Sequence, residues 1–219
     1  MRLDNINKYK FIVIEGSIGV GKTSLATRIA KDYNAKLVLE QFAENPFLPK
    51  FYKDPDRFSF PLELSFLADR YQQLKKEMIN PDLFFSFIIA DYYFMKSLIF
   101  AGRTLKDDEY NLYRQLFLII YESIPKPDLY VYLQVDTNRL LENIKKRGRD
   151  YEQNITAEYL NRIQKGYFEF FSQNPNLRFL VIDVNELDFV FNQTDYQRLL
   201  DTIFSFPCNL GMNRVEIEK

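Results

Sequence analysis

Near the start of the chain, Gly16-Ser17-Ile18-Gly19-Val20-Gly21-Lys22-Thr23 fits G-x-x-x-x-G-K-[ST] at every fixed position. Glycines let a backbone curl until successive N–H groups point into one concavity, a shape that receives phosphate oxygens. The helix that follows, which takes in Ser24, adds its positive N-terminal end. Lys22 then bridges the outer phosphates and the Thr23 hydroxyl ligates Mg²⁺. The chemistry read from this loop is binding of ATP or a similar triphosphate and transfer of its terminal phosphoryl group to a small acceptor.

The same loop serves switch GTPases, motor ATPases and small-molecule kinases, so other residues must decide among them. The guanine-reading string N-K-x-D is absent, and the nearest match, Pro125-Lys-Pro-Asp128, lacks the asparagine. With no histidine in the chain, a general base must come from a carboxylate, lysine, tyrosine or the lone Cys208. Glu40 closes a strand-like run, where it either accepts a proton from the acceptor or caps the next segment. Asp91 closes another run and reads as a Mg²⁺ ligand or its support. Arg147 and Arg149 flank Gly148 in a polar stretch; they form either a lid over phosphates or a solvated basic run. Arg70, beside Asp69, sits at the acceptor or in a surface ion pair. This is a kinase-like inventory.

Such residues are far apart in sequence and need a scaffold that gathers them. Strand-like runs at 11–14, 36–40, 84–90, 129–135 and 178–183 alternate with helical stretches at 23–32, 45–78, 93–101, 107–124, 137–146, 157–172 and 194–204. The 45–78 stretch is broken at Asp54-Pro55 and restarts at Pro61, a residue tolerated in a first helical turn. The alternation predicts an α/β fold: a three-layer, five-stranded parallel sheet flanked by helices, with an arginine-rich lid at about 147–156. Ligands of such sheets bind at the carboxyl ends of the strands, which here close on Gly16, Glu40, Asp91, Asp136 and Asp183. No repeat or linker divides residues 1–219, so one domain is expected, with a frayed tail after Pro207.

Composition narrows the partners. Charged residues nearly cancel to −1, which speaks against a broad basic nucleic-acid surface. The longest apolar stretches, such as 116–121, are far short of a membrane span, and the polar first ten residues do not read as a secretory signal. One cysteine permits no internal disulfide. A soluble, cytoplasmic protein is expected.

Several strings, in order from about Phe11 to Phe189, resemble the deoxynucleoside kinase family. IEGSIGVGKTSL is similar to its phosphate loop with the preceding Glu15, and LVLEQF places Glu40 where the family carries its catalytic carboxylate. FPLELSFLADRYQQL resembles the helix that reads the base and ends in an arginine, here Arg70. KKRGRDYEQ is similar to the lid, whose arginines approach the phosphates; Glu152 there meets the sugar 3′-hydroxyl. Phe100, in the matching Ile99-Phe100-Ala101, falls in the acceptor pocket, and VIDVNELDF resembles the loop that packs on the donor's adenine. The resemblance implies ATP with Mg²⁺, a 5′-hydroxyl acceptor and a homodimer packed through helices.

The chain departs from the pattern twice. Asp91-Tyr92-Tyr93 stands where the family has an acid-Arg-Ser string, so the arginine is missing and the support of Glu40 is left open. Glu63 stands where a glutamine usually faces the base. Glutamine offers a donor and an acceptor, whereas ionised glutamate only accepts. Guanine presents two adjacent donors, N1–H and N2–H, which predicts a purine acceptor with a lean to deoxyguanosine. Two other functions fit the loop: a thymidylate-like nucleoside monophosphate kinase, and a nucleotide-binding regulator without turnover.

Overall fold

The computed structural model describes residues 8–40, 45–79 and 84–217. Six parallel strands form one sheet in the order β2-β3-β1-β4-β5-β6. They are β1 (Phe11–Gly16), β2 (Lys36–Val38), β3 (Ile88–Ala90), β4 (Leu129–Gln134), β5 (Arg178–Asp183) and β6 (Gly211–Glu216). Between them run α1 (Lys22–Tyr33), α2 (Leu48–Lys53), α3 (Pro55–Ile79), α4 (Met95–Thr104), α5 (Asp107–Tyr121), α6 (Thr137–Arg147), α7 (Ala157–Gln173) and α8 (Gln193–Ser205).

The strands β1, β4 and β5 are largely apolar because both faces are covered, and their twofold side-chain period splits each between two cores. Ile12 and Ile14 of β1, Val131 and Leu133 of β4, and Leu180 and Ile182 of β5 join α1, α6 and α8 on one face. Phe11 and Val13, Tyr130 and Tyr132, and Phe179 and Val181 join α3, α4, α5 and α7 on the other. Aromatics concentrate on this second face, where Tyr132, Tyr167, Phe171 and Phe179 stack edge to face and tilted at centroid distances of 4.5–6.1 Å.

Four expectations need correction. The sheet has six strands rather than five, because the segment expected to fray pairs in parallel with β5 from Gly211 to Glu216. Asn213 anchors it by donating to the carbonyls of Phe179 and Asn209. The third strand starts at Ile88 instead of Phe84: Phe84 is 84 % exposed, and the ladder with β1 begins where Ile88 donates to the Lys10 carbonyl. β2 ends at Val38, so Leu39 and Glu40 extend beyond the ladder into the crevice. Pro61 lies inside α3, which starts already at Pro55 and runs through it. Among the described residues, no helix is long and apolar enough to cross a membrane.

Candidate active site

The loop between β1 and α1 depends on backbone shapes open to glycine. Gly16 has φ +147°, and a Cβ there would meet the Leu133 carbonyl oxygen at 2.8 Å and Val20 at 2.9 Å. Gly21, the residue before α1, has φ +101°. Lys22 folds back and donates to the carbonyls of Gly16 (2.8 Å) and Ser17 (3.0 Å). Burial and the charge of Lys96 push its ammonium down to about 8, against the pull of Glu15, Glu40 and Asp91. Thr23 donates from Oγ1 to Asp91 Oδ2 at 2.5 Å, and the Glu40 N–H donates to Asp91 Oδ1 at 2.7 Å. Asp91 thus ties together the carboxyl ends of β2 and β3 and the start of α1. The Thr23 hydroxyl and the Asp91 carboxylate are hard oxygen ligands of the kind Mg²⁺ takes alongside phosphate.

Glu40 is held by two cations. Its Oε1 accepts from Arg70 Nη2 (2.7 Å) and Nε (3.1 Å), while Oε2 accepts from Lys96 Nζ. Arg70 is fixed in turn by donating from Nη1 to Ser97 Oγ at 2.8 Å. Burial alone would raise the Glu40 carboxyl, but Lys96 and Arg70 outweigh it and hold the group down to about 2. The cation that Asp91-Tyr92-Tyr93 lacks is therefore supplied within the next helix, from Lys96. Tyr92 and Tyr93 are fully buried. Tyr92 donates to Gln73 (2.7 Å), whose amide holds the Leu39 carbonyl (2.7 Å), so it braces the Glu40 backbone from behind. Glu15 takes the Tyr93 N–H (2.9 Å) and the Tyr167 hydroxyl (2.8 Å), and burial raises its carboxyl above the ordinary range.

Above these groups opens a cleft. Leu48, Phe51, Phe66, Phe100 and Tyr159 form its apolar wall, from α2, α3, α4 and α7. Glu63, only 2 % exposed, sits in that wall. Its Oε1 accepts from Thr104 at 3.0 Å, and its Oε2 has no hydrogen-bond partner among the described residues. Burial pushes the carboxyl up to about 7 against the attraction of Arg70, Thr104 and Lys96.

On the far side of the cleft, α6 ends at Arg147 because Gly148 adopts the left-handed conformation at φ +70°. Arg149 then precedes a short 3-10 turn, Asp150–Glu152. Both arginines pair with Glu152, Arg149 at 3.3 Å, and Glu152 is buried while each arginine side chain stays about a third exposed. Next to the phosphate loop, residues 184–189 are held from two helices. Arg139 of α6 donates to the carbonyls of Val184 (2.8 Å), Asn185 and Leu187 (2.6 Å), and Arg28 of α1 to that of Phe189 (3.1 Å).

Ile18, Gly19, Lys22, Thr23, Glu40, Glu63, Arg70, Asp91, Phe100, Arg147, Arg149 and Glu152 all line this one cleft. Gly16, Ser17, Val20 and Gly21 form the loop beneath it, whereas Ser24 is exposed in the first turn of α1 and does not line it. Sequence reasoning missed Lys96. Its signal was present, since a lysine that falls on the inner face of an apolar helix needs a carboxylate partner, but the partner lies 56 positions away.

The deoxynucleoside kinase family model matches residues 12–207. The chain is 36 % identical over 201 residues to the deoxyguanosine kinase of Bacillus subtilis (strain 168), covering 89 % of this chain and 96 % of that protein. It is 35 % identical over 181 residues to the deoxyadenosine kinase of Dictyostelium discoideum, covering 82 % and 73 %. The solved structure of deoxyadenosine kinase from M. mycoides with bound dATP is similar at a TM-score of 0.76 and 30 % identity, over 88 % of this chain and 98 % of that one. With the phosphate loop, the paired carboxylate and the arginine-bearing turn around one cleft, these matches establish that the chain belongs to the deoxynucleoside kinase family, as an ATP-dependent kinase.

Proposed function

We propose that the enzyme transfers the γ-phosphoryl group of ATP-Mg²⁺ to the 5′-hydroxyl of purine deoxynucleosides, deoxyguanosine before deoxyadenosine, in nucleotide salvage. The observation that carries the base preference is Glu63: a buried carboxyl in the apolar wall with one oxygen lacking any partner among the described residues. Two adjacent acceptor oxygens match the N1–H and N2–H donors of guanine. The names of the relatives, purine deoxynucleoside kinases from Bacillus subtilis and Dictyostelium discoideum, point the same way.

In this reading the phosphate loop cradles the donor, and Thr23 and Asp91 would hold the metal, which would supply charge neutralisation for the phosphates. Glu40 accepts the hydrogen bond of the 5′-hydroxyl and aims it in line. A carboxylate held near 2 is a weak base. That suffices, since a loose transition state needs positioning and charge stabilisation more than proton abstraction. Arg147 and Arg149 move from Glu152 toward the transferring group as the triphosphate arrives, and Glu152 takes the sugar 3′-hydroxyl. Arg70 orients Glu40 beside the acceptor, and Phe100 packs on the base. We place the protein in the cytoplasm as a homodimer of one-domain subunits.

A nucleoside monophosphate kinase would need free cations for the acceptor's own phosphate. On the acceptor side Arg70 and Lys96 are both engaged by Glu40, which favours an uncharged acceptor. The test is incubation with ATP-Mg²⁺ and each of the four deoxynucleosides, then their monophosphates. Deoxyguanosine should give the most 5′-monophosphate, and a clear preference for thymidine or deoxycytidine would overturn the assignment.

A further inference from the structure

Thr104, the last residue of α4, places its hydroxyl oxygen 3.0 Å from Glu63 Oε1 and 3.1 Å from the Phe100 carbonyl oxygen. It has one proton and two acceptors within reach. When Glu63 is ionised, that proton serves the carboxylate. When Glu63 is protonated, the Thr104 proton can turn to the Phe100 carbonyl instead, and the hydroxyl oxygen stays available to accept. The pair keeps its hydrogen bonds in either state, so nothing in the local geometry forces one of them.

The groups facing Glu63 come from each element around it. Arg70 on α3 and Lys96 on α4 favour the ionised form, and Glu40 beyond β2 opposes it. Tyr113 of α5 donates to the Glu63 backbone carbonyl at 3.4 Å, and Tyr159 of α7 closes the wall. Burial outweighs the two cations and the Thr104 hydrogen bond, which leaves the carboxyl raised to about 7, in the physiological range.

We propose that the protonation state of Glu63 selects the purine: the ionised carboxylate takes deoxyguanosine, and the protonated carboxyl takes deoxyadenosine. This rests on the reading of Glu63 as the base contact. Guanine offers two donors on its Watson–Crick edge, N1–H and N2–H, and needs two acceptors. Adenine offers N6–H beside the bare N1 and needs one acceptor and one donor, which is what a protonated carboxyl provides. Neither purine titrates between about pH 6 and about pH 8, so the proton that decides belongs to the enzyme.

The experiment is a competition. Equimolar deoxyguanosine and deoxyadenosine are given to the wild-type enzyme with ATP-Mg²⁺ from about pH 6 to about pH 8 at constant ionic strength, and the two monophosphates are separated. Their ratio equals the ratio of kcat/KM values, so titrations common to both reactions, such as that of Lys22, cancel. The dGMP:dAMP ratio should rise on the order of tenfold or more across the range, since the ratio of ionised to protonated Glu63 changes about tenfold per pH unit. Glu63→Gln, with one fixed donor and one fixed acceptor, should favour deoxyadenosine and flatten the dependence. Thr104→Val removes a hydrogen bond that favours ionisation, so the crossover should move to higher pH.

A ratio independent of pH in the wild type, with base preference altered in Glu63→Gln, would overturn the switch and leave Glu63 as the base contact. An unchanged base ratio in Glu63→Gln would remove both.

Discussion

Glu40 shows what a buried ion pair does for a phosphoryl-transfer site. Both of its oxygens are engaged, by Arg70 and Lys96, so its charge and its direction are fixed before a substrate arrives. Removing one partner of a buried pair leaves an uncompensated charge. Lys96→Met should therefore lower kcat on the order of 10²-fold with a smaller change in KM, and move the acid limb of the pH–rate profile upward as the Glu40 carboxyl rises. Lys96→Arg should restore part of the rate. A Lys96→Met enzyme with unchanged kcat and acid limb would show that Arg70 alone holds Glu40.

Lys22 carries a second consequence at this scale. Its folded pKa is lowered to about 8, so the free enzyme loses the ammonium charge as pH rises through that value. Phosphate oxygens reverse the shift, so ATP binding takes up a proton at about pH 8.5 and little at about pH 7. Isothermal titration in two buffers of different ionisation enthalpy measures this directly. Equal apparent enthalpies in both buffers at about pH 8.5 would count against a depressed Lys22.

At the level of elements, the sheet is completed by a strand with a weak signature. β6 is Gly-Met-Asn-Arg-Val-Glu, and its side chains are exposed at every second position. Its backbone nonetheless covers the edge of β5, and Cys208 just before it is buried in the core. A chain ending at Phe206 should melt on the order of 5–10 °C lower, as expected when a few kcal/mol are lost from a domain of this size. It should also aggregate faster, because the bare edge of β5 can template pairing. Thermal melts with light scattering check both, and an unchanged Tm would show that β6 only rests on the sheet.

The same contrast explains what was legible beforehand. β1, β4 and β5 are buried on both faces, so their apolar runs mark them in the sequence. β6 is a half-exposed edge strand held by backbone pairing and by Asn213, and neither leaves an apolar pattern. The phosphate loop was readable because its glycines answer local backbone demands. Asp91 was readable as the residue that closes β3, and Glu40 as a carboxylate at the crevice end of β2, although it lies two residues past the ladder. Lys96 was not, since its meaning lies in a tertiary approach to Glu40, and the departure at Tyr92-Tyr93 drew attention to the wrong turn of chain. Both tyrosines are buried core and bracing residues.

For the molecule as a whole, the proposed reading has each arriving ligand change the partners of the others. Among the described residues, the cations that line the cleft are all engaged: Lys22 with the loop carbonyls, Arg70 and Lys96 with Glu40, Arg147 and Arg149 with Glu152. In the proposed reading a triphosphate draws Arg147 and Arg149 from Glu152, which is then free for the sugar 3′-hydroxyl. In that reading the donor and acceptor sites are coupled through one carboxylate. Glu152→Gln separates the two roles. It releases both arginines, so KM for ATP should fall a few-fold, in keeping with the modest worth of part-exposed ion pairs. It also replaces a charged acceptor with a neutral one, so KM for the deoxynucleoside should rise on the order of tenfold. Steady-state kinetics with each substrate varied in turn reads the two shifts independently. Opposite movement of the two KM values is the signature of a shared carboxylate, whereas a parallel rise would mean that Glu152 serves only to hold the lid in shape.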